Sequence, residues 1–106
     1  MEEFRADMTK LIDIARDITP QVICVCITKV DETKTTPVAW DSTSSYTNAG
    51  IKKYNEATQG LCKTRNIPFI DVSSILTTDD LYDGLHPNSI GHQKIFDAVK
   101  DTILGG

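Results

Sequence analysis

Asp83 and His86 stand three residues apart in the segment Asp83-Gly84-Leu85-His86-Pro87-Asn88. In a tight turn that spacing lets the two side chains meet. The carboxylate then accepts from one imidazole nitrogen, fixing the tautomer and stabilising the imidazolium. The other nitrogen is left free to take a proton from a nucleophile. Gly84 permits the turn, Pro87 stiffens its exit and Asn88 opens a helix, so His86 is expected on a rigid support. The nucleophile such a pair would serve is missing. Ser42 follows Trp40-Asp41 in a mid-chain loop, and Ser73 and Ser74 follow a strand, where capping a turn is the expected role. His92 lies six residues after His86, which is not the four-residue step that places two histidines on one helix face for a metal. Tyr82 adjoins Asp83 and is a candidate wall of the site; Trp40 is either a substrate contact or a plug over the core.

Those residues must be held by regular elements. Phe4, Met8, Leu11, Ile12, Ala15 and Ile18 recur at three- and four-residue steps, which predicts an amphipathic helix over about 2–17, ended by Thr19-Pro20. The run Val22–Ile27 is β-branched and does not alternate, as in a strand covered on both faces. Residues 29–45 are polar and aperiodic and read as a long loop. A second helix is expected over about 47–65, with Ile51, Tyr54, Thr58, Leu61 and Cys62 inward, Gly50 and Gly60 weakening it and Asn66 as a left-handed cap. Ile67–Val72 is a second strand. Residues 73–82 form a linker, in which Asp79 and Asp80 read as a solvated helix start. A last helix follows Asn88, with Ile90, Ile95, Ala98, Val99 and Ile103 inward. Two strands joined by a helix make a parallel, right-handed crossover, so the fold class is α/β. The Asp83–His86 turn then falls at the carboxyl end of the sheet, where open α/β folds place ligands.

Composition bounds the alternatives. The chain has 106 residues, 40% of them apolar, and a net charge of -4, and reads as a single domain over 1–106. No Lys/Arg cluster offers a footprint for nucleic acid, and no apolar run is long enough for a membrane span. Cys24, Cys26 and Cys62 are an odd number, at spacings that suit neither a disulfide framework nor a zinc site, and read as buried apolar residues. They lean towards a reducing, cytoplasmic setting, and the acidic N-terminal segment does not read as a secretory signal.

The segment DGLHPNSIGHQKIF resembles the last block of the SGNH (GDSL-type) hydrolase family, in which Asp-x-x-His-Pro precedes a helix carrying a small residue. The strand IPFIDVSS, and VICVCIT followed by a loop and a helix with Tyr54-Asn55-Glu56, are similar to that family as well. The resemblance implies a flavodoxin-like, three-layer α/β/α sandwich, present here as its C-terminal portion: the last two parallel strands plus three helices. It implies serine ester hydrolysis in which His86 is the general base and Asp83 its orienting partner. No cofactor or metal is implied. The substrate would be a small-molecule ester: a lipid, a sugar acetate or another ester. The family's Gly-Asp-Ser turn and its Gly-x-Asn-Asp oxyanion segment have no counterpart in the sequence, so the chain alone is expected to be inactive. The expected partner is a missing N-terminal half, or a second copy joined through the strand at Val22–Ile27. A non-catalytic binding module, and a split enzyme completed by another chain, are the rival readings.

Overall fold

The computed structural model describes residues 1–105. Helix α1 (Glu2–Ile18) leads to strand β1 (Cys24–Val25), a single turn α2 (Glu32–Thr35), helix α3 (Asn48–Thr64), strand β2 (Phe69–Ile70), a 3-10 turn at Thr78–Asp80 and helix α4 (Ser89–Gly105). The strands are parallel, with Cys24 opposite Phe69 and Val25 opposite Ile70. This is the expected α/β crossover.

Two small cores form, with Ile67 in one, Ile70 and Val72 in the other and Phe69 packed against both. Ile12 of α1 and Cys62 of α3 pack with Ile67, Val22, Cys24 and Phe69. Cys26, Ile70 and Val72 pack with Ala98 and Val99 of α4. Helix α1 meets α3 again where Phe4 sets its ring edge-on against Tyr54, centroids 4.7 Å apart, and where Arg65 pairs with Asp13. Caps end the helices as their sequences require. The Thr47 hydroxyl accepts from Gly50 N–H at 3.1 Å, and Asn66 adopts φ 55°, the left-handed exit from α3.

Four expectations need correcting. The Val22–Ile27 run is not covered on both faces: Ile23, Val25 and Ile27 are 38%, 40% and 48% exposed, because β2 and its helices cover β1 from one side alone. Pairing is accordingly confined to two residues of each strand. The buried stripe of α4 is narrower than its apolar pattern. Ile90 and Ile103 are exposed, while Gly91 is buried so closely that an added Cβ would lie 2.6 Å from the Asp80 carbonyl oxygen. On α1, Leu11 and Ile18 likewise face outward, leaving Ile12 as its buried residue.

Asp80 is also buried rather than solvated. Its carboxylate accepts from Thr77 N–H at 2.8 Å and from Lys94 Nζ at 2.7 Å, tying the 3-10 turn to α4. Those bonds outweigh desolvation and hold the carboxyl below its usual range, the Lys94 bond contributing most.

Candidate active site

The residues that follow β2 make a small closed turn. Leu81 and Pro87 form an antiparallel bridge, and Tyr82 N–H donates to the His86 carbonyl at 3.0 Å. Asp83 fills the inside of this loop. Its Oδ1 accepts from Leu85 N–H at 2.9 Å and from His86 N–H at 2.7 Å; its Oδ2 lies 2.6 Å from His86 Nδ1. One carboxylate thus shapes the backbone and orients the ring. Desolvation pushes Asp83 up, but the bonds from the His86 backbone, the His86 ring and Leu85 N–H prevail and hold its carboxyl at about 2. Asp83 is therefore an anion at neutral pH, and Nδ1 of His86 carries the hydrogen it accepts. The His86 side chain is half-exposed, and among the described residues no serine, threonine or cysteine side chain hydrogen-bonds to it.

Three elements steady the turn from outside. Gly84 is buried at φ 87°, a conformation glycine adopts without a Cβ penalty. Its carbonyl accepts from Asp31 N–H at 2.8 Å, and α2 packs so near that an added Cβ would sit 2.6 Å from Lys34 Cβ. On the exit side Asn88 is bonded three ways. Its N–H donates to the Asp80 carbonyl at 2.7 Å, its amide donates to the Asp79 carbonyl at 2.9 Å, and its Oδ1 accepts from Gly91 N–H at 2.9 Å. The segment after β1, which carries Asp31, is itself fixed by two asparagines of α3. Asn55 both accepts from and donates to the Ile27 backbone, each at 2.8 Å. Asn48 does the same for Val30, at 2.8 and 3.0 Å. The long loop of 29–45 is thus more ordered than its composition implies, and the reason is bonding to α3 across distances the local sequence does not reveal.

Two aromatic rings flank His86. Tyr82 stacks on the imidazole at a centroid distance of 5.7 Å and an angle of 25°; Trp40 lies 5.8 Å away at 41°. Tyr82 could be suspected from its position beside Asp83. Trp40 could not be assigned, because it meets His86 across 46 positions of chain and no local pattern records that contact. The serines behave as expected for turns. Ser73 gives both N–H and hydroxyl to Asp71 Oδ1, at 2.9 and 2.6 Å, while Ser42 is exposed on a turn closed by Asp41.

A hollow of about 380 Å³ opens beside the Asp83–His86 turn, lined by Ile27, Tyr46, Tyr54 and Leu85 among others. A larger cleft of about 550 Å³ runs between α3 and the loop after β2, along Lys29, Asn55, Gln59 and Asp71, and takes in neither Asp83 nor His86. Among the described residues no three His, Cys, Asp or Glu side chains are grouped to hold a metal ion, and no helix is long and apolar enough to cross a membrane.

This arrangement of parallel strands and helices recurs in a solved structure. A candidate acylhydrolase from Bacteroides fragilis superimposes with a TM-score of 0.78 at 18% identity, over 95% of this chain and 50% of that one. The fold is therefore of the SGNH-like α/β class, and the chain spans about half the length of the protein it matches. No curated protein matches it. The model of the GDSL-like lipase/acylhydrolase family matches residues 1–94, and the chain belongs to that family.

Proposed function

We propose that Asp83 and His86 are the acid–base part of a serine acyl-ester hydrolase, and that the remaining catalytic groups lie outside these 106 residues. The observation that carries this reading is the 2.6 Å contact between Asp83 Oδ2 and His86 Nδ1, with the other carboxylate oxygen tied to backbone and, among the described residues, no hydrogen-bond partner on Nε2. In such a reaction Nε2 takes the serine proton as the hydroxyl attacks the ester carbonyl. It then returns that proton to the departing alcohol oxygen. Asp83 stabilises the imidazolium that exists between the two transfers. The substrate is a small-molecule ester.

Residues 1–106 are read as the C-terminal portion of one such domain. The open edge of β1 supports this. Cys24 and Cys26 direct their N–H groups to β2, at 3.0 and 3.1 Å from Pro68 and Ile70 oxygens, so Ile23 and Val25 turn theirs away from it. The side chains of Ile23, Val25 and Ile27 form an apolar row beside that edge. A further parallel strand, carried by a nucleophile-bearing half, fits there; a second copy of the chain is the alternative occupant. Without the serine there is no acyl-enzyme, and each absent oxyanion donor forgoes roughly 3–4 kcal/mol of transition-state stabilisation. The purified chain is therefore expected to leave p-nitrophenyl acetate unhydrolysed above background. Turnover by this chain that His86→Ala abolishes would overturn the assignment of the nucleophile to another segment.

A further inference from the structure

We propose that Trp40 and Tyr82 form the binding platform for the alcohol half of the ester, and that this half is a ring that offers one face for stacking and bears the ester oxygen. The proposal rests on His86 being the base. When the ester C–O bond breaks, the nucleophile's proton passes through Nε2 to the leaving alcohol oxygen, so that oxygen must lie within hydrogen-bond reach of Nε2. Whatever flanks the imidazole therefore flanks the alcohol. The rings that flank it are Tyr82, stacked at 5.7 Å, and Trp40, tilted at 5.8 Å.

Both rings are held out of the core. Tyr82 is 69% and Trp40 55% exposed. The loop that carries Trp40 is firmly built: Thr35 and Val38 are buried before it, the Thr35 hydroxyl donates to the Tyr46 carbonyl at 2.6 Å, and Val38 N–H donates to the Ser44 carbonyl at 3.0 Å. Asp41, next to Trp40, accepts from Thr43 N–H at 2.9 Å and from the Ser44 hydroxyl at 2.7 Å. A loop bonded in this way presents the indole at a fixed place and does not use it as a plug. Rigid aromatic faces give contact area at little entropic cost. They favour a ring, which stacks without freezing rotors, over a linear alkyl chain, which must freeze several. The shared chemistry covers two sources, an aryl alcohol and a pyranose.

Trp40 is the sole tryptophan, so intrinsic fluorescence reads this site directly and needs no turnover. The chain is titrated with phenyl acetate, with an O-acetylated methyl pyranoside and with hexyl acetate, subtracting collisional quenching measured on N-acetyltryptophanamide. A saturable change with at least one ring-bearing ester is expected, the saturating one naming the source. Hexyl acetate should not saturate over the same range. Tyr82→Leu, at an exposed position, should weaken the saturating ester roughly two- to tenfold, and circular dichroism checks that the variant is folded. Trp40→Leu should abolish the ester-induced shift of the His86 imidazole resonances. Equal saturation by hexyl acetate, unchanged affinity in Tyr82→Leu, or no saturation by any ester overturns the platform. None of these results bears on whether His86 is needed for hydrolysis, which is read by turnover.

Discussion

Replacing Gly84 by alanine tests whether the Asp83–His86 turn is held as described. At φ 87° the new Cβ incurs the left-handed penalty, about 1–2 kcal/mol. It would also sit 2.6 Å from Lys34 Cβ and 3.4 Å from the Asp31 carbonyl oxygen. The first distance is too short for any real contact, so α2 must retreat. That retreat strains or breaks the Asp31 N–H bond to the Gly84 carbonyl, a further loss of about 1 kcal/mol. The sum is a destabilisation of about 2–3 kcal/mol. Gly60→Ala is the internal control. Gly60 lies within α3 with nothing within 4 Å of an added Cβ, so this change should stabilise by about 0.5–1 kcal/mol. Urea unfolding followed by circular dichroism gives both values. The two glycines should move the midpoint in opposite directions, and in Gly84→Ala the Asp83, His86 and Asp31 amide resonances should shift most. A loss at Gly84 well under about 1 kcal/mol would refute the claim that α2 and the turn are in close contact.

Other consequences follow from the same geometry. Asn55→Ala removes both bonds to the Ile27 backbone and should cost about 1–3 kcal/mol, with loss of hydrogen-exchange protection at the Ile27 amide; unchanged protection would contradict the bracing role. Asp83 has a folded pKa of about 2 against 3.8 for the free group. Its contribution to stability is therefore complete above about 4 and is lost as pH falls towards 2. The urea midpoint should drop across that window, less steeply in Asp83→Asn, and equal slopes for the two proteins would refute the linkage. Val25→Lys places a charge on the open edge of β1 and should lower any self-association seen by analytical ultracentrifugation; an unchanged sedimentation profile would exclude that edge as the contact.

The site was legible in the sequence because it is local. An Asp and a His three apart, with a glycine between and a capped helix after, carry their own geometry, and the 2.6 Å contact needs no distant residue to form. The three long helices were legible for the same reason, since each depends on periodicity and caps. What failed depends on neighbours. Val22–Ile27 has the composition of an interior strand, but composition states what a strand was suited to meet and not what is present beside it. Ile90 and Ile103 look inward by spacing, yet α4 rests on Gly91, Ala98 and Val99 because Gly91 lets the helix approach Asp80 most closely. Asp80 resembles a solvated first-turn acid until Lys94 arrives from α4. The Trp40 contact and the Asn48 and Asn55 braces are long-range pairings that a single sequence does not encode visibly.

The role proposed for His86 is that of base in an acyl-transfer site whose nucleophile lies elsewhere. The most direct measurement supplies that nucleophile: residues 1–106 joined to the reading frame upstream of Met1, or mixed with a polypeptide encoded there, and assayed for hydrolysis of p-nitrophenyl acetate. Turnover should require both parts and fall at least about 1,000-fold with His86→Ala. Hydrolysis that survives His86→Ala at the full rate would contradict that role.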